Sequence, residues 1–200
     1  PKYANSSALC WPAALLSLSA SCSNFAASHQ CARRAAVSMV RIEQRLQQLG
    51  YVLPEMPRPL ASYVPAVRTG DYIFLAGHVP FKPDMKALHV GKVGLDFDTE
   101  EAKDIAKFIG LELISSIKHT AGDLDKVKKI VKVVGFVNCV DHYTQQPEVI
   151  NGCSDLMAEV FGIEIGQHAR SAVGTNSLPR QVPVEIEMIV ELHPGAVQLD

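Results

Sequence analysis

No apolar run in the 200-residue chain approaches the roughly 18–20 residues that a membrane-spanning helix needs. Charge of one sign is also missing. The formal net charge is −2, which leaves no basic footprint of the kind nucleic-acid binders carry. Aromatic residues make up 6 % of the chain and tryptophan occurs once, too little for a row of base-stacking platforms. Five cysteines do not make a disulfide framework. Cys10, Cys22 and Cys31 fall in an atypical N-terminal stretch. Cys139 and Cys153 sit inside apolar patterns without CxxC spacing, where a free thiol behaves as a small hydrophobe. A reducing compartment is the natural reading. The seven histidines (29, 78, 89, 119, 142, 168 and 193) show no ligand spacing, so no metal site is expected.

The first 42 residues contain no Asp or Glu, while Lys2, Arg33, Arg34 and Arg41 are positive and Ala and Ser dominate. Acid-poor, serine-rich and arginine-bearing is the composition of an organelle transit peptide, which would send the protein to a mitochondrion or another organelle. A secretory signal competes, but Pro12, Ser17 and Ser19 spoil its apolar stretch. A third reading starts the natural chain at Met39 and leaves the protein cytoplasmic. Each reading makes residues 1–40 a disordered segment outside a folded domain spanning 41–200.

What is present from residue 41 onward is regular patterning. Arg41–Leu49 predicts a short helix ended by Gly50. Pro54, Pro57 and Pro59 enforce an extended connection. Tyr63–Arg68 and Tyr72–Val79 read as a hairpin closed at Thr69-Gly70-Asp71, followed by a loop or short edge strand over Lys82–Gly94. Asp98 with Glu101 forms a capping-box signature before an apolar stripe at Ile105, Ile109, Leu113 and Ile117, and Gly122 ends that helix. Val127–Cys139 reads as a long strand. A second helix starts near Pro147, runs through Val149, Cys153, Met157 and Val160, and stops at Gly162. Two strands close the chain. The last alternates Val184, Ile186, Met188 and Val190 against Glu185, Glu187, Ile189 and Glu191. The order predicts an α+β two-layer sandwich, a mainly antiparallel sheet with two helices packed on one face. The half-apolar outer face predicts an oligomer interface.

The final strands carry the candidate chemistry. Arg170 on one and Glu185 on the next are expected as neighbours: either a guanidinium and a carboxylate framing a small acid and a water, or a plain salt bridge. Glu185 shares its face with other glutamates, and Tyr63, Gly77 and Asn151 each have an ordinary structural reading. Lys126, Lys128, Lys129 and Lys132 form a basic cluster that reads as a solvated edge or the rim of an anion-attracting cleft.

Several segments resemble the YjgF-like Rid proteins, the reactive-intermediate deaminases. These are YVPAV from Tyr63, FLAGHVP from Phe74, GDLDKV from Gly122, VIN ending at Asn151, HARSAV from His168, and Leu178-Pro179 followed by VEIE from Val184. They occur in the family's order across roughly Arg41 to Leu192. The resemblance implies a chorismate-mutase-like protomer, a homotrimer with three clefts between subunits, and hydrolysis of 2-imino acids or their enamine tautomers to 2-keto acids and ammonia. It implies no metal or organic cofactor. In residue terms, Arg170 matches the arginine that grips the substrate carboxylate and Glu185 the glutamate that orients water. Tyr63, Gly77 and Asn151 match residues lining the cleft. Ala172 stands where the best-known branch has cysteine, which sets aside any thiol-dependent behaviour.

The chemistry is self-consistent. Arginine's rigid fork donates two parallel hydrogen bonds to a carboxylate, fixing the imine carbon beside it. A glutamate accepting a water proton contributes about 10²–10⁴-fold. The alternatives are an endoribonuclease or translation inhibitor, which charge and composition disfavour, and a non-catalytic trimer that binds small metabolites or acts as a chaperone.

Overall fold

The capping box at Asp98 forms as the sequence predicts. Asp98 Oδ1 accepts from the Glu101 amide at 2.8 Å, and Glu101 Oε2 accepts from the Asp98 amide at 2.9 Å. Gly122 closes the same helix in the left-handed conformation, φ 79°. The computed structural model describes residues 41–56 and 62–195. The transit-like segment 1–40, with Pro57 and Pro59, lies outside the described residues.

Chain order is α1 (Ile42–Gln48), β1 (Ala66–Thr69), β2 (Tyr72–His78), α2 (Thr99–Ala121), β3 (Val127–Asn138), α3 (Gln146–Phe161), a four-residue α4 (Ile163–Gly166), β4 (Ala169–Thr175) and β5 (Val184–Leu192). Gly50 follows α1 at φ 77°, and Pro147 occupies the first turn of α3. Thr69 pairs with Tyr72 across a two-residue turn whose first position, Gly70, has φ 57°. Between β2 and α2 the chain is a loop with isolated bridges at Phe81–Leu88 and at Val93 with Phe97 and Cys139.

The sheet order is β1-β2-β5-β3-β4, antiparallel except for the parallel β3–β4 edge. Helices α2 and α3 cover one face. Val184, Ile186, Met188, Val190 and Leu192 point into that core, as the period-two pattern requires. Burial along α2 is wider than the predicted stripe. Ala102, Ala106, Gly110, Leu111 and Ile114 join it, because this helix lies against both the sheet and α3. No helix among the described residues is long and apolar enough to cross a membrane.

The expected adjacency of the last two strands is wrong. β4 and β5 do not pair; β3 lies between them, parallel to one and antiparallel to the other. The Leu178-Pro179 segment is therefore a crossover past the end of β3, not a hairpin turn. Alternation fixes which face of its own strand a residue occupies. It says nothing about which strand becomes the neighbour.

Close packing of α2 on α3 depends on Gly152. A Cβ there would overlap the Lys103 carbonyl oxygen and sit 3.0 Å from the Lys107 amide nitrogen. Both obstacles are backbone and cannot swing away. Gly152→Ala should therefore destabilise the fold by about 2 kcal/mol, although alanine is the better helix former by about 1 kcal/mol. Urea titration checks this; an unchanged midpoint would mean the helices separate at no cost.

Candidate functional site

Arg170 emerges from edge strand β4 towards α3, and its guanidinium is anchored there. Its NH1 nitrogen donates to Asn151 Oδ1 at 2.7 Å and to Ser154 Oγ at 3.1 Å. NH1 carries two hydrogens, so both are committed. The Nε and NH2 side of the fork keeps the paired donors that match a carboxylate.

Ser154 is itself oriented. His168 Nδ1 donates to the Gly166 carbonyl at 2.6 Å, which leaves Nε2 to accept the Ser154 hydroxyl at 3.0 Å. Burial lowers the His168 pKa, and the positive charges of Arg170 and Lys129 lower it further. The neutral tautomer this relay requires is thus the favoured one. Beneath lies Cys153, fully buried, its thiol pushed up to about 12 by burial against the opposing pull of Arg170. It is a packing residue.

Glu185 belongs to a separate place. It projects from the open face of β5 and closes over Gly77. Gly77 sits in a β-bulge, where the register between β2 and β5 shifts between Leu75 and His78. A side chain at residue 77 would occupy the space of the Glu185 carboxylate. Here the ordinary reading of this glycine, a bulge and a close approach, and its cleft-lining reading are the same fact. Glu185, Gly77, Tyr63, Val79, Pro179 and Arg180 line a cavity of about 440 Å³. Burial raises the Glu185 pKa, and the neighbouring Glu187 charge raises it further.

The five predicted residues therefore fall into two half-sites. Arg170 and Asn151 share the helix-side edge; Glu185, Tyr63 and Gly77 share the open-face cavity. Glu185 pairs with Phe136 and Phe136 with Val173, three residues beyond Arg170. Two strand spacings across and three residues along put the Arg170 and Glu185 Cα atoms about 14 Å apart. The salt-bridge reading of this pair is excluded within one chain.

Sequence reasoning missed Ser154, His168 and Arg180. The i, i+3 spacing of Asn151 and Ser154 puts them on one helix face, and the i, i+2 spacing of His168 and Arg170 was a matching cue. Nothing marked Arg180. The lysine cluster is not a shared groove. Lys128 bridges Glu191 at 2.7 Å, Lys129 reaches the Glu164 carbonyl, Lys132 reaches Ser171 and Lys126 the Ala121 carbonyl. Among the described residues, three carboxylates lie close enough to share a cation: Glu43, Asp123 and Asp125. The two aspartates already hold Arg41, at 2.8 and 3.0 Å.

A five-stranded sheet under two long helices defines a chorismate-mutase-like α+β protein. Residues 43–192 match the family model described as "YjgF/chorismate_mutase-like, putative endoribonuclease". The protein TCP17 of Trypanosoma cruzi is 38 % identical over 159 residues, 80 % of this chain and 99 % of its own. A structure from Agrobacterium tumefaciens, of unknown function, is 39 % identical with a TM-score of 0.67 and covers 76 % of this chain and 94 % of its own. One from Shewanella oneidensis carries the same endoribonuclease description, at 28 % identity and a TM-score of 0.73, covering 76 % and 100 %. The chain belongs to the YjgF/RidA-like Rid family, whose members are associated with enzymatic activity.

Proposed function

We propose that this protein hydrolyses reactive 2-imino acids, or their enamine tautomers, to 2-keto acids and ammonia. The observation that carries the reading is Arg170: NH1 is spent on Asn151 and Ser154, and a bidentate edge is left for a substrate carboxylate. Glu185, with its pKa raised by burial, is the water-positioning base, since a base nearer the working pH transfers protons more effectively. Water adds to the imine carbon as Glu185 takes its proton. The proton returns to nitrogen, the C–N bond of the carbinolamine breaks, and ammonia leaves. Tyr63 and Gly77 wall the cavity, and neither a metal nor an organic cofactor is needed.

One chain holds the two half-sites apart, so the reading requires assembly. A homotrimer would bring Arg170 of one protomer to the Glu185 cavity of the next. Val67 and Phe74 on the open face, 53 % and 46 % exposed, favour burial between subunits. Paired lysines and near-neutral charge do not favour an RNA groove.

The test is direct. 2-Aminoacrylate generated by a pyridoxal-phosphate-dependent dehydratase is mixed with the protein, and keto-acid release is followed. Acceleration that disappears in Arg170→Ala is expected; no acceleration, or full activity in the variant, would overturn the reading. Activity should rise with pH through the Glu185 pKa, since only the ionised carboxylate accepts a proton.

A further inference from the structure

Arg180 stands in backbone that disfavours it. Its φ and ψ are 57° and 16°, and Gln181 beside it has φ 57°. Neither is glycine or asparagine, the residues that tolerate the left-handed region, and each such conformation costs about 1–3 kcal/mol. The turn is nonetheless held firmly. Gln181 donates to the Leu178 carbonyl at 3.0 Å and accepts from the Gly91 amide at 2.8 Å. The next residue, Val182, is fully buried and its carbonyl accepts from Asn138 Nδ2 at 3.2 Å. A rigid, strained turn is thus maintained where glycine would fit at less cost.

What the turn achieves is placement. Arg180 lines the same cavity as Tyr63, Gly77 and Glu185. Among the described residues its guanidinium makes no hydrogen bond or ion pair. Among the described residues no ion pair joins it to Glu185. The cavity, about 440 Å³ with Ala76, Val79 and Pro179 as apolar walls, has room well beyond a three-carbon imino acid. One end of a substrate is assigned to the Arg170 of the adjoining protomer. Arg180 is a second cation, lining the cavity itself.

We propose that Arg180 is a specificity-determining residue that binds a second carboxylate, so that the preferred substrates are 2-imino dicarboxylic acids. This rests on the imine-hydrolase reading of the same site. Arg180 is solvent-exposed in the single chain, and its fork supplies charge-assisted hydrogen bonds to a second carboxylate that a chain ending in a methyl group cannot use.

The experiment compares imines made in situ by amino-acid oxidases from glutamate and from norvaline, which share a five-carbon backbone. The readout is the ratio of the two kcat/KM values. Wild-type protein should favour the glutamate-derived imine, and Arg180→Gly should lower the ratio by about 10- to 100-fold, the equivalent of a lost charged hydrogen bond. Because glycine relieves the left-handed strain, this variant should keep or raise the melting temperature, which separates lost recognition from lost folding. Arg180→Lys should restore part of the ratio. A ratio near one in wild type, or one unaltered by Arg180→Gly, overturns the proposal. If wild type turns over neither imine, the hydrolase reading falls, and calorimetry with unreactive 2-oxoglutarate and 2-oxopentanoate decides for Arg180. A preference for the dicarboxylate that Arg180→Gly abolishes supports the second clamp; equal binding overturns it.

Discussion

Arg170→Lys is expected to reduce kcat/KM for 2-imino acid hydrolysis roughly 100-fold while leaving the unfolding midpoint nearly unchanged. The substitution keeps the charge and loses the geometry. Arginine presents separate nitrogens, so NH1 can bind Asn151 Oδ1 and Ser154 Oγ while Nε and NH2 face a ligand. Lysine's three hydrogens radiate from one atom. An ammonium satisfying Asn151 and Ser154 retains a single donor and cannot form a parallel pair with a carboxylate. Two charge-assisted bonds then become at most one, and the imine carbon loses its fixed position, a loss that compounds in the transition state. Stability should hardly alter, because Arg170 lies at the sheet edge outside the apolar core. Steady-state kinetics with a urea titration on the same preparation checks both halves. Lysine activity within a few-fold of wild type would mean that charge alone suffices and that the fork is irrelevant.

That prediction depends on contacts of very different legibility. The Asp98 capping box, the Gly122 stop and the position of Pro147 in α3 were readable because each is decided within one helical turn. The apolar side of β5 was readable because alternation is a property of a single strand. The neighbour of β4 was not. Its parallel pairing with β3 is a tertiary choice made across α3, and no residue in HARSAV encodes it. The same limit hid the division into half-sites, since Arg170 and Glu185 are close in sequence yet face opposite sides of the sheet. Arg180 was hidden for another reason. Its placement in the cavity depends on a backbone angle that its residue type argues against, and such local conflicts concentrate where function outweighs propensity.

Glu112→Gln is expected to stabilise the protein on the alkaline side, on the order of 3 kcal/mol at pH 8, and to be neutral or mildly destabilising near pH 5. Glu112 lies on α2 with no solvent exposure. Its Oε1 accepts the Phe81 amide at 3.3 Å, and its Oε2 has no partner among the described residues. Burial pushes the carboxyl up to about 9 from an ordinary 4.5, with the Phe81 bond pulling weakly the other way. The sign follows from the proton count. Between about pH 4.5 and 9 the folded chain keeps a proton that the unfolded chain releases. The group's stabilising contribution is therefore complete below the lower value and drains away as pH rises towards the upper one, at about 1.4 kcal/mol per unit. Glutamine carries no such proton and no such slope. Its oxygen can still accept from Phe81, while its unpartnered amide hydrogens offset about 1–3 kcal/mol of the gain. Buried His78, held neutral between the Ala76 carbonyl and the Ser116 hydroxyl, has a lowered pKa and the opposite pH dependence. That contribution is common to both proteins and cancels in their difference. Denaturant midpoints of wild type and Glu112→Gln, compared from pH 5 to 8, should diverge steadily; parallel curves would show that Glu112 ionises in the folded state. Imine turnover should survive the change, because the Phe81 amide keeps its acceptor and the Gly77–Phe81 segment that walls the cavity keeps its anchor.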